Sequence, residues 1–231
     1  MTSSGDRTRE PVDQDVLDGI AVYNRHFLAV YDICVYGVNM PLIWRCPTSV
    51  VRGLYDASLG AEHLELGVGS GYLLARCQFP VPDPQITLVD LNPTPLAHTA
   101  RRLARYRVRQ IEANLLAPLP VPDAAFDSVG LNLVLHCLPG SMREKGVVLA
   151  HAAAAVRPGG VVFGSTLLSG GVRVSLPAKV LMRCNNAAGV FHNEADDIDG
   201  LRAQLSRHFA SHTLIVRGNL ALFRAHRSPV D

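Results

Sequence analysis

The chain of 231 residues is 48% hydrophobic, which is enough to bury one substantial core, and its formal net charge is only +2. So mild a charge gives no argument for nucleic acid or a membrane surface as a partner. The five cysteines form no C-x-x-C pair. We therefore expect neither a metal site nor a disulfide framework, and a cytoplasmic location is the simplest interpretation.

The first 59 residues divide into two parts. Residues 1–15 are polar and charged and contain no apolar run, which predicts a mobile N-terminus and not a secretory signal. In residues 16–59 apolar side chains recur at helical spacing. Prolines at Met40-Pro41 and Cys46-Pro47 interrupt the pattern, so two or three helices are predicted, and together they would form an N-terminal helical cap.

Residues 60–231 are predicted to form an α/β core in which strands alternate with helices. This alternation is typical of a parallel, doubly wound sheet of the Rossmann-like kind. The first five predicted strands are Ala61–Leu66, Ile86–Asp90, Val108–Glu112, Ser128–Asn132 and Val161–Ser165. The helices predicted between them lie near Tyr72–Cys77, Pro95–Tyr106 and Met142–Val156.

The C-terminal part of the core departs from this alternation. Asp196–Phe209 is predicted to be a helix, and Gly218-Asn219 is typical of a hairpin turn between two strands, Thr213–Arg217 and Leu220–Arg224. Residues 167–194 form an unusually long segment between the fifth strand and this helix. Because ligands bind at the carboxyl ends of the strands in such sheets, this insertion is predicted to be a substrate lid, together with the cap.

The most informative motif is Glu65-Leu66-Gly67-Val68-Gly69-Ser70-Gly71, at the end of the first strand. Glycine accepts a positive φ and lets a ligand approach bare backbone. Asp90 ends the second strand, where an acid can hold the ribose hydroxyls of a nucleoside cofactor. The G-x-G-x-G spacing differs from the dinucleotide pattern, and the Glu65 carboxylate would repel a pyrophosphate but suit the ammonium group of an amino-acid cofactor.

Four segments, in this order, resemble the class I S-adenosylmethionine-dependent methyltransferases. They are His63–Gly71, Leu88–Asn92, Phe126–His136 and Val156–Phe163. The resemblance implies a seven-stranded sheet whose last strand runs antiparallel to the rest, and S-adenosylmethionine as the cofactor. It does not identify the methyl acceptor.

The resemblance also implies a set of cofactor-binding residues. Glu65 would anchor the cofactor ammonium, and Asp90 would accept both ribose hydroxyls. Asn114 stands where the family commonly has an acid that accepts the adenine amino proton, and its carbonyl could accept the same bond. Asn132 would face the methionine end or would simply form a turn. The full set is Glu65, Gly67, Gly69, Gly71, Asp90, Leu91, Asn114, Leu115 and Asn132.

Methyl transfer from a sulfonium depends mainly on alignment and on exclusion of water, so no catalytic triad is expected. His136 is either a general base for a phenol or amine acceptor or a structural residue, and we favour the structural interpretation. His192, in the insertion, is the other candidate base. The cap aromatics Tyr23, Tyr31, Tyr36 and Trp44 are more often core residues at this spacing, and one or two are expected to line the substrate pocket, with Tyr23, Tyr31 and Trp44 as the candidates.

The sequence therefore predicts a methyltransferase that acts on a small, partly apolar molecule, in bacterial secondary metabolism. The fourth strand lacks the Asn/Asp-Pro-Pro-aromatic pattern of base-amino methylation, and no Pro-Cys pair is present. Two alternatives stay open: an RNA or protein methyltransferase, and a protein of the same fold that uses the cofactor without methyl transfer. We expect a monomer or homodimer in the cytoplasm, with no nucleic-acid or membrane partner.

Overall fold

The computed structural model describes residues 32–228. Its strands form one mixed sheet in the order β3-β2-β1-β4-β5-β7-β6. β1 to β5 pair in parallel, and β7 is antiparallel to both β5 and β6. The predicted seven-stranded sheet is thus confirmed. The strands are β1 Glu62–Leu66, β2 Gln85–Asp90, β3 Arg107–Glu112, β4 Phe126–Asn132, β5 Val156–Leu167, β6 Ser211–Arg217 and β7 Leu220–His226.

Helices cover both faces of the sheet. α3 and α5 pack on one face through a buried cluster that includes Val148 and Leu205. The π-helix, α1, α2 and α4 pack on the other face through a cluster that includes Met40, Leu96 and Met182. The helices are a π-helix Ile33–Ile43, α1 Thr48–Asp56, α2 Pro93–Arg102, α3 Met142–Ala155, α4 Leu176–Ala187 and α5 Ile198–His208, with a short 3₁₀ turn at Leu135–Cys137.

The described part of the cap corrects one predicted helix break. The chain does not break at Met40-Pro41, because Pro41 lies inside the π-helix. In a π-helix the bond missing at Pro41 would have reached the carbonyl of Tyr36, five residues earlier. The Thr48 hydroxyl donates to that carbonyl over 2.5 Å instead. The second predicted break is confirmed, since α1 begins directly after Pro47.

The helix predicted near Tyr72–Cys77 is wrong. The segment is a run of turns, in which Ala75 N–H donates to Gly71 and Cys77 N–H donates to Leu73. Prolines at 80, 82 and 84 follow closely and remove the donors that a longer helix would need. The buried side chains of Leu73, Leu74 and Cys77 account for the helical spacing that misled the prediction.

The fifth strand begins earlier than predicted. β5 starts at Val156, which pairs with Phe126, but the next paired residues are Val161 and Ser128. The residues between Val156 and Val161 therefore interrupt the regular pairing, with Gly159 at φ 75°. The predicted C-terminal hairpin is confirmed between β6 and β7.

Candidate functional site

A cavity opens at the carboxyl edge of the sheet, where β1, β2 and β4 end side by side. All nine cofactor-binding residues expected from the sequence line it. Parallel strands bring their carboxyl ends to one edge, so segments far apart in the chain meet there. The nine residues are Glu65, Gly67, Gly69, Gly71, Asp90, Leu91, Asn114, Leu115 and Asn132.

The glycine turn leaves a bare backbone at the cavity. Gly67, Gly69 and Gly71 have φ values of 73°, 50° and 66°. A Cβ at Gly67 would lie 2.4 Å from Val134, and one at Gly71 would lie 2.6 Å from Thr99. A Cβ at Gly69 would meet no heavy atom within 4 Å. Gly67 and Gly71 are thus required by the packing of the protein itself, whereas Gly69 faces the space that a ligand can fill.

Asp90 is fixed by backbone donors from both sides. Its Oδ2 accepts from Val68 N–H at 3.0 Å, and its Oδ1 accepts from Asn92 N–H at 2.9 Å. Burial raises the pKa of this carboxyl to about 6, although backbone hydrogen bonds from Asn92, Val68 and Leu91 act to lower it. Each oxygen keeps a second lone pair, so the carboxylate can still accept the two hydroxyls of a ribose.

Glu65 is only 4% exposed, and both of its oxygens are held by neighbouring side chains. Tyr55 donates to Oε1 over 2.6 Å, and His63 Nε2 lies 2.9 Å from Oε2. Tyr55 also lines the cavity. The sequence analysis missed Tyr55, whose one available signal was a tyrosine in the apolar stretch just before β1.

The two asparagines of the cavity make different contacts. Asn114 Oδ1 already accepts from Leu116 N–H at 3.0 Å, which leaves that oxygen one lone pair for a ligand. Asn132 is buried and accepts from the Ser165 hydroxyl of β5. Leu133 follows with a positive φ of 56° and turns the chain along the cavity wall.

Comparisons with known proteins agree with this site. A family model described as a methyltransferase domain matches residues 64–162. Demethylluteothin O-methyltransferase from Streptomyces thioluteus is 52% identical over 224 residues, which is 97% of each chain. A physcion biosynthesis cluster O-methyltransferase from Aspergillus chevalieri is 35% identical over 209 residues, which is 90% of this chain and 94% of the relative.

The chain belongs to the class I S-adenosylmethionine-dependent methyltransferases. It uses S-adenosylmethionine and transfers a methyl group to a small molecule, so the family, activity and cofactor predicted from the sequence are confirmed. A solved DhpI–SAH complex has a TM-score of 0.64 at 18% identity, covering 95% of this chain and 100% of that chain. At that identity the likeness shows the fold alone.

The other end of the methyltransferase's cavity is largely apolar. Tyr36 stacks on Tyr72 with ring centroids 4.4 Å apart, and the Arg76 guanidinium lies 3.9 Å from the Tyr72 centroid. Sequence reasoning missed Tyr72, although it directly follows Gly71. The further lining residues are Leu133, Val134, Cys137, Leu138, Pro139 and Val190.

His136 lies beside the cavity and does not line it. Leu167 N–H donates to its Nδ1 over 3.3 Å, and its own carbonyl accepts from His192 N–H at 2.8 Å. Burial, with a smaller effect of Lys145, lowers the pKa of His136 to about 3. The imidazole is therefore neutral at physiological pH, and it joins the turn after β4 to the end of β5.

Of the substrate-pocket candidates that the structure describes, Trp44 and His192 do not line the cavity, whereas the cap aromatic Tyr36 does. Trp44 is 3% exposed and packs against Phe191 at a centroid distance of 6.4 Å. His192 does not line the cavity either, and its main chain bonds to His136 and to Lys145. Tyr23 and Tyr31 lie outside the described residues.

Two further kinds of site are absent from the part of the chain that the structure describes. Between residues 32 and 228 no group of three or more His, Cys, Asp or Glu side chains is arranged to hold a metal ion. Over the same range no helix is both long and apolar enough to span a membrane.

Proposed function

We propose that this methyltransferase methylates a hydroxyl oxygen of a small, largely apolar molecule related to demethylluteothin. The observation that carries the proposal is the 52% identity to demethylluteothin O-methyltransferase, which extends over 97% of both chains. The similarity spans 224 of the 231 residues and so extends across the segments that line the cavity. The apolar character of that end supports an acceptor of the same kind.

In this proposal the end of each strand binds a different part of the cofactor. Asp90 accepts the ribose hydroxyls, Leu91 packs on the adenine, and Asn114 with Leu115 borders the adenine edge. Gly69 offers open space beside its bare backbone, which fits the approach of the cofactor. Glu65 supplies the negative charge that faces the ammonium group. The bound cofactor supplies an activated methyl group on a positively charged sulfur.

The chain's own residues then have to align the acceptor and exclude water. Leu133, Val134 and Leu138 present an apolar wall next to Asn132. Val190 extends this wall from the insertion 167–194, which we propose to be the substrate lid together with the cap. Alignment of this kind contributes up to ~7–11 kcal/mol in ideal cases, so a general base is not required for a hydroxyl that ionises readily.

We also infer that the enzyme works in the cytoplasm as a monomer or homodimer, without a nucleic-acid or membrane partner. The net charge of +2 gives little attraction to polyanions. All five cysteines are free thiols, which suits a reducing compartment. Light scattering of the purified protein measures the oligomeric state, and a tetramer or larger assembly would contradict the inference.

The acceptor atom is tested with purified enzyme, S-adenosylmethionine and demethylluteothin. We expect a singly methylated product whose new methyl carbon is bonded to oxygen, identified by mass spectrometry and carbon NMR. A control without enzyme measures spontaneous methylation. Methylation at nitrogen or carbon, or no turnover of any hydroxylated analogue by an enzyme that binds the cofactor, would contradict the proposal.

A further inference from the structure

A buried chain of hydrogen bonds supports the Glu65 carboxylate from behind the cavity. It starts at Gly60, whose N–H donates to Ser128 Oγ over 2.9 Å. Ser128 Oγ lies 2.8 Å from His63 Nδ1, and His63 Nε2 lies 2.9 Å from Glu65 Oε2. Both His63 and Ser128 are 0% exposed, so no bulk water takes part in this arrangement.

Donors and acceptors alternate along this chain of hydrogen bonds. Ser128 Oγ accepts from the Gly60 amide and keeps both a proton and a second lone pair for His63 Nδ1. Nε2 faces a carboxylate oxygen, which accepts hydrogen bonds, so the Nε2 proton is the one donated to Glu65.

Tyr55 holds the other carboxylate oxygen and comes from outside the α/β core. It lies on α1, in the region predicted as the cap, and its hydroxyl donates to Glu65 Oε1 over 2.6 Å. Its ring packs edge-on against Phe163, with centroids 4.8 Å apart, and is only 1% exposed. The hydroxyl is thus held in place by packing on β5.

The neighbouring strand leaves room for this arrangement. Gly130 of β4 pairs with Glu65, and a Cβ there would lie 2.3 Å from Glu65 Oε2. The carboxylate therefore has one position, with one donor on each oxygen and a lone pair left on each for a ligand.

We propose that Tyr55 and His63 are positioning residues that aim the Glu65 carboxylate at the ammonium group of the cofactor, so that the cap forms part of the cofactor site. This inference rests on the proposed role of Glu65 in the section above. Removing either donor leaves a buried carboxylate free to turn away and poorly solvated, so recognition of the amino-acid end of the cofactor weakens.

The test compares two ligands that differ in the amino-acid end. S-adenosylhomocysteine carries the ammonium group, whereas 5′-methylthioadenosine keeps the adenosine and the sulfur but lacks the whole amino-acid part. We expect Tyr55→Phe to weaken binding of S-adenosylhomocysteine roughly tenfold in calorimetry, and to leave binding of 5′-methylthioadenosine unchanged. Tyr106→Phe, which removes a hydroxyl outside the cavity, should change neither constant.

A second pair of variants shows whether Tyr55 acts through Glu65. Glu65→Gln should lower the preference for S-adenosylhomocysteine at least as much, and adding Tyr55→Phe to it should cause no further loss. Full additivity of the two losses, or equal weakening of both ligands by Tyr55→Phe, would overturn the positioning role. His63→Gln, which can keep a donor near Glu65, should lose less preference than His63→Leu, and equal losses would count against His63.

The same measurements distinguish a failure of the positioning role of Tyr55 and His63 from a failure of the proposed ammonium-binding role of Glu65. If Glu65→Gln leaves the preference unchanged, the ammonium role of Glu65 is wrong, and the inference is wrong with it. If Glu65→Gln lowers the preference but Tyr55→Phe does not, the positioning role alone is wrong. Whether the acceptor atom is oxygen is decided independently, by the product of methyl transfer.

Discussion

Asp90 couples cofactor binding to pH. The cavity keeps the pKa of this carboxyl at about 6 because it is buried, above its ordinary value of 3.8. Ribose hydroxyls that donate to it favour the charged form, so a bound cofactor lowers the pKa. Binding must then weaken as the pH falls through 6, since a proton has to be released before the cofactor binds.

We therefore expect the Kd of S-adenosylhomocysteine to be constant above pH 7 and to rise below pH 6, approaching about tenfold per pH unit. Calorimetric titrations between pH 5 and 8 measure this. Asp90→Asn should bind more weakly at every pH and lose the pH dependence. A wild-type affinity that does not change over this range would contradict the ribose role of Asp90.

The glycine turn allows a matched pair of substitutions. Gly69→Ala meets no protein atom, so its stability loss should be limited to the backbone strain of about 1–2 kcal/mol, while its methyl group obstructs the ligand. Gly67→Ala adds a contact at 2.4 Å with Val134 and should lose more stability. Urea unfolding measures the loss of stability, and calorimetry measures the loss of affinity for S-adenosylhomocysteine. Relative to the stability that each variant loses, Gly69→Ala should lose more affinity than Gly67→Ala. The reverse order would contradict the assignment of the cavity.

His136 provides a test of general-base catalysis. Its Nδ1 accepts from Leu167 N–H, and its pKa is lowered to about 3 by burial. His136→Asn can keep an acceptor near that amide, so we expect the variant to retain most of the activity. We also expect the pH dependence of the rate between pH 6 and 7 to be the same in the variant and in the wild type. A loss of ~10²–10⁴-fold in a folded, cofactor-binding variant would make His136 a catalytic base.

At the scale of elements, a buried ion pair joins α3 to the segment that follows α4. Lys145 and Asp196 are both 0% exposed, and the two Nζ–Oδ distances are 2.8 and 2.7 Å. Burial raises the pKa of Asp196 to about 6, whereas Lys145 acts to lower it. Lys145 also donates to the carbonyl of His192 over 2.7 Å and so holds the end of the insertion.

Removing one partner of this pair should be costly. We expect Lys145→Met to lower the free energy of unfolding by about 3–5 kcal/mol at pH 8, because the Asp196 carboxylate stays buried without a cation. The loss should be smaller at pH 5.5, since Asp196 can then be protonated. Lys179→Met, on the exposed side of α4, is the matched control. Equal stability of the two variants in urea titrations would show that the ion pair contributes nothing.

The insertion contacts the π-helix of the cap, and each contributes a residue to the cavity lining, Val190 and Tyr36 respectively. The Ser175 hydroxyl lies 3.4 Å from the carbonyl of Ile43, and Asp32 bonds to Ser70 of the glycine turn and to Arg102. We expect hydrogen exchange in the π-helix and α4 to slow when S-adenosylhomocysteine binds, while exchange in α5, on the other face of the sheet, stays the same. Unchanged exchange in both segments would contradict the lid proposal.

At the scale of the whole molecule, the sequence predicted what the parallel sheet determines. Gly67 directly follows β1, and Asp90 and Asn132 are the last residues of β2 and β4. Parallel strands that end at one edge must bring these residues together. The contacts between the cap and the core could not be predicted from the sequence. The contact of Tyr55 with Glu65 depends on how α1 approaches β1, and no local pattern reports that.

The differences between these predictions and the structure have one physical origin, which is packing between segments far apart in the chain. Trp44 and His192 belong to segments whose facing side is decided by packing, so their distance from the cavity could not be derived from spacing. The continuous π-helix through Pro41 depends on the Thr48 hydroxyl, which supplies a donor from outside the helix. A proline normally predicts a helix break, but here the hydrogen bond from Thr48 replaces the missing donor and the helix continues.

A crystal structure of the full chain with S-adenosylhomocysteine tests the central claim most directly. We expect the ligand in the cavity at the carboxyl ends of β1, β2 and β4, with its ribose hydroxyls on Asp90 and its ammonium group on the Glu65 side, directly or through one water molecule. The sulfur should point toward the apolar wall of Leu133 and Val134. A ligand bound elsewhere, or turned so that the ribose lies away from Asp90, would contradict the account.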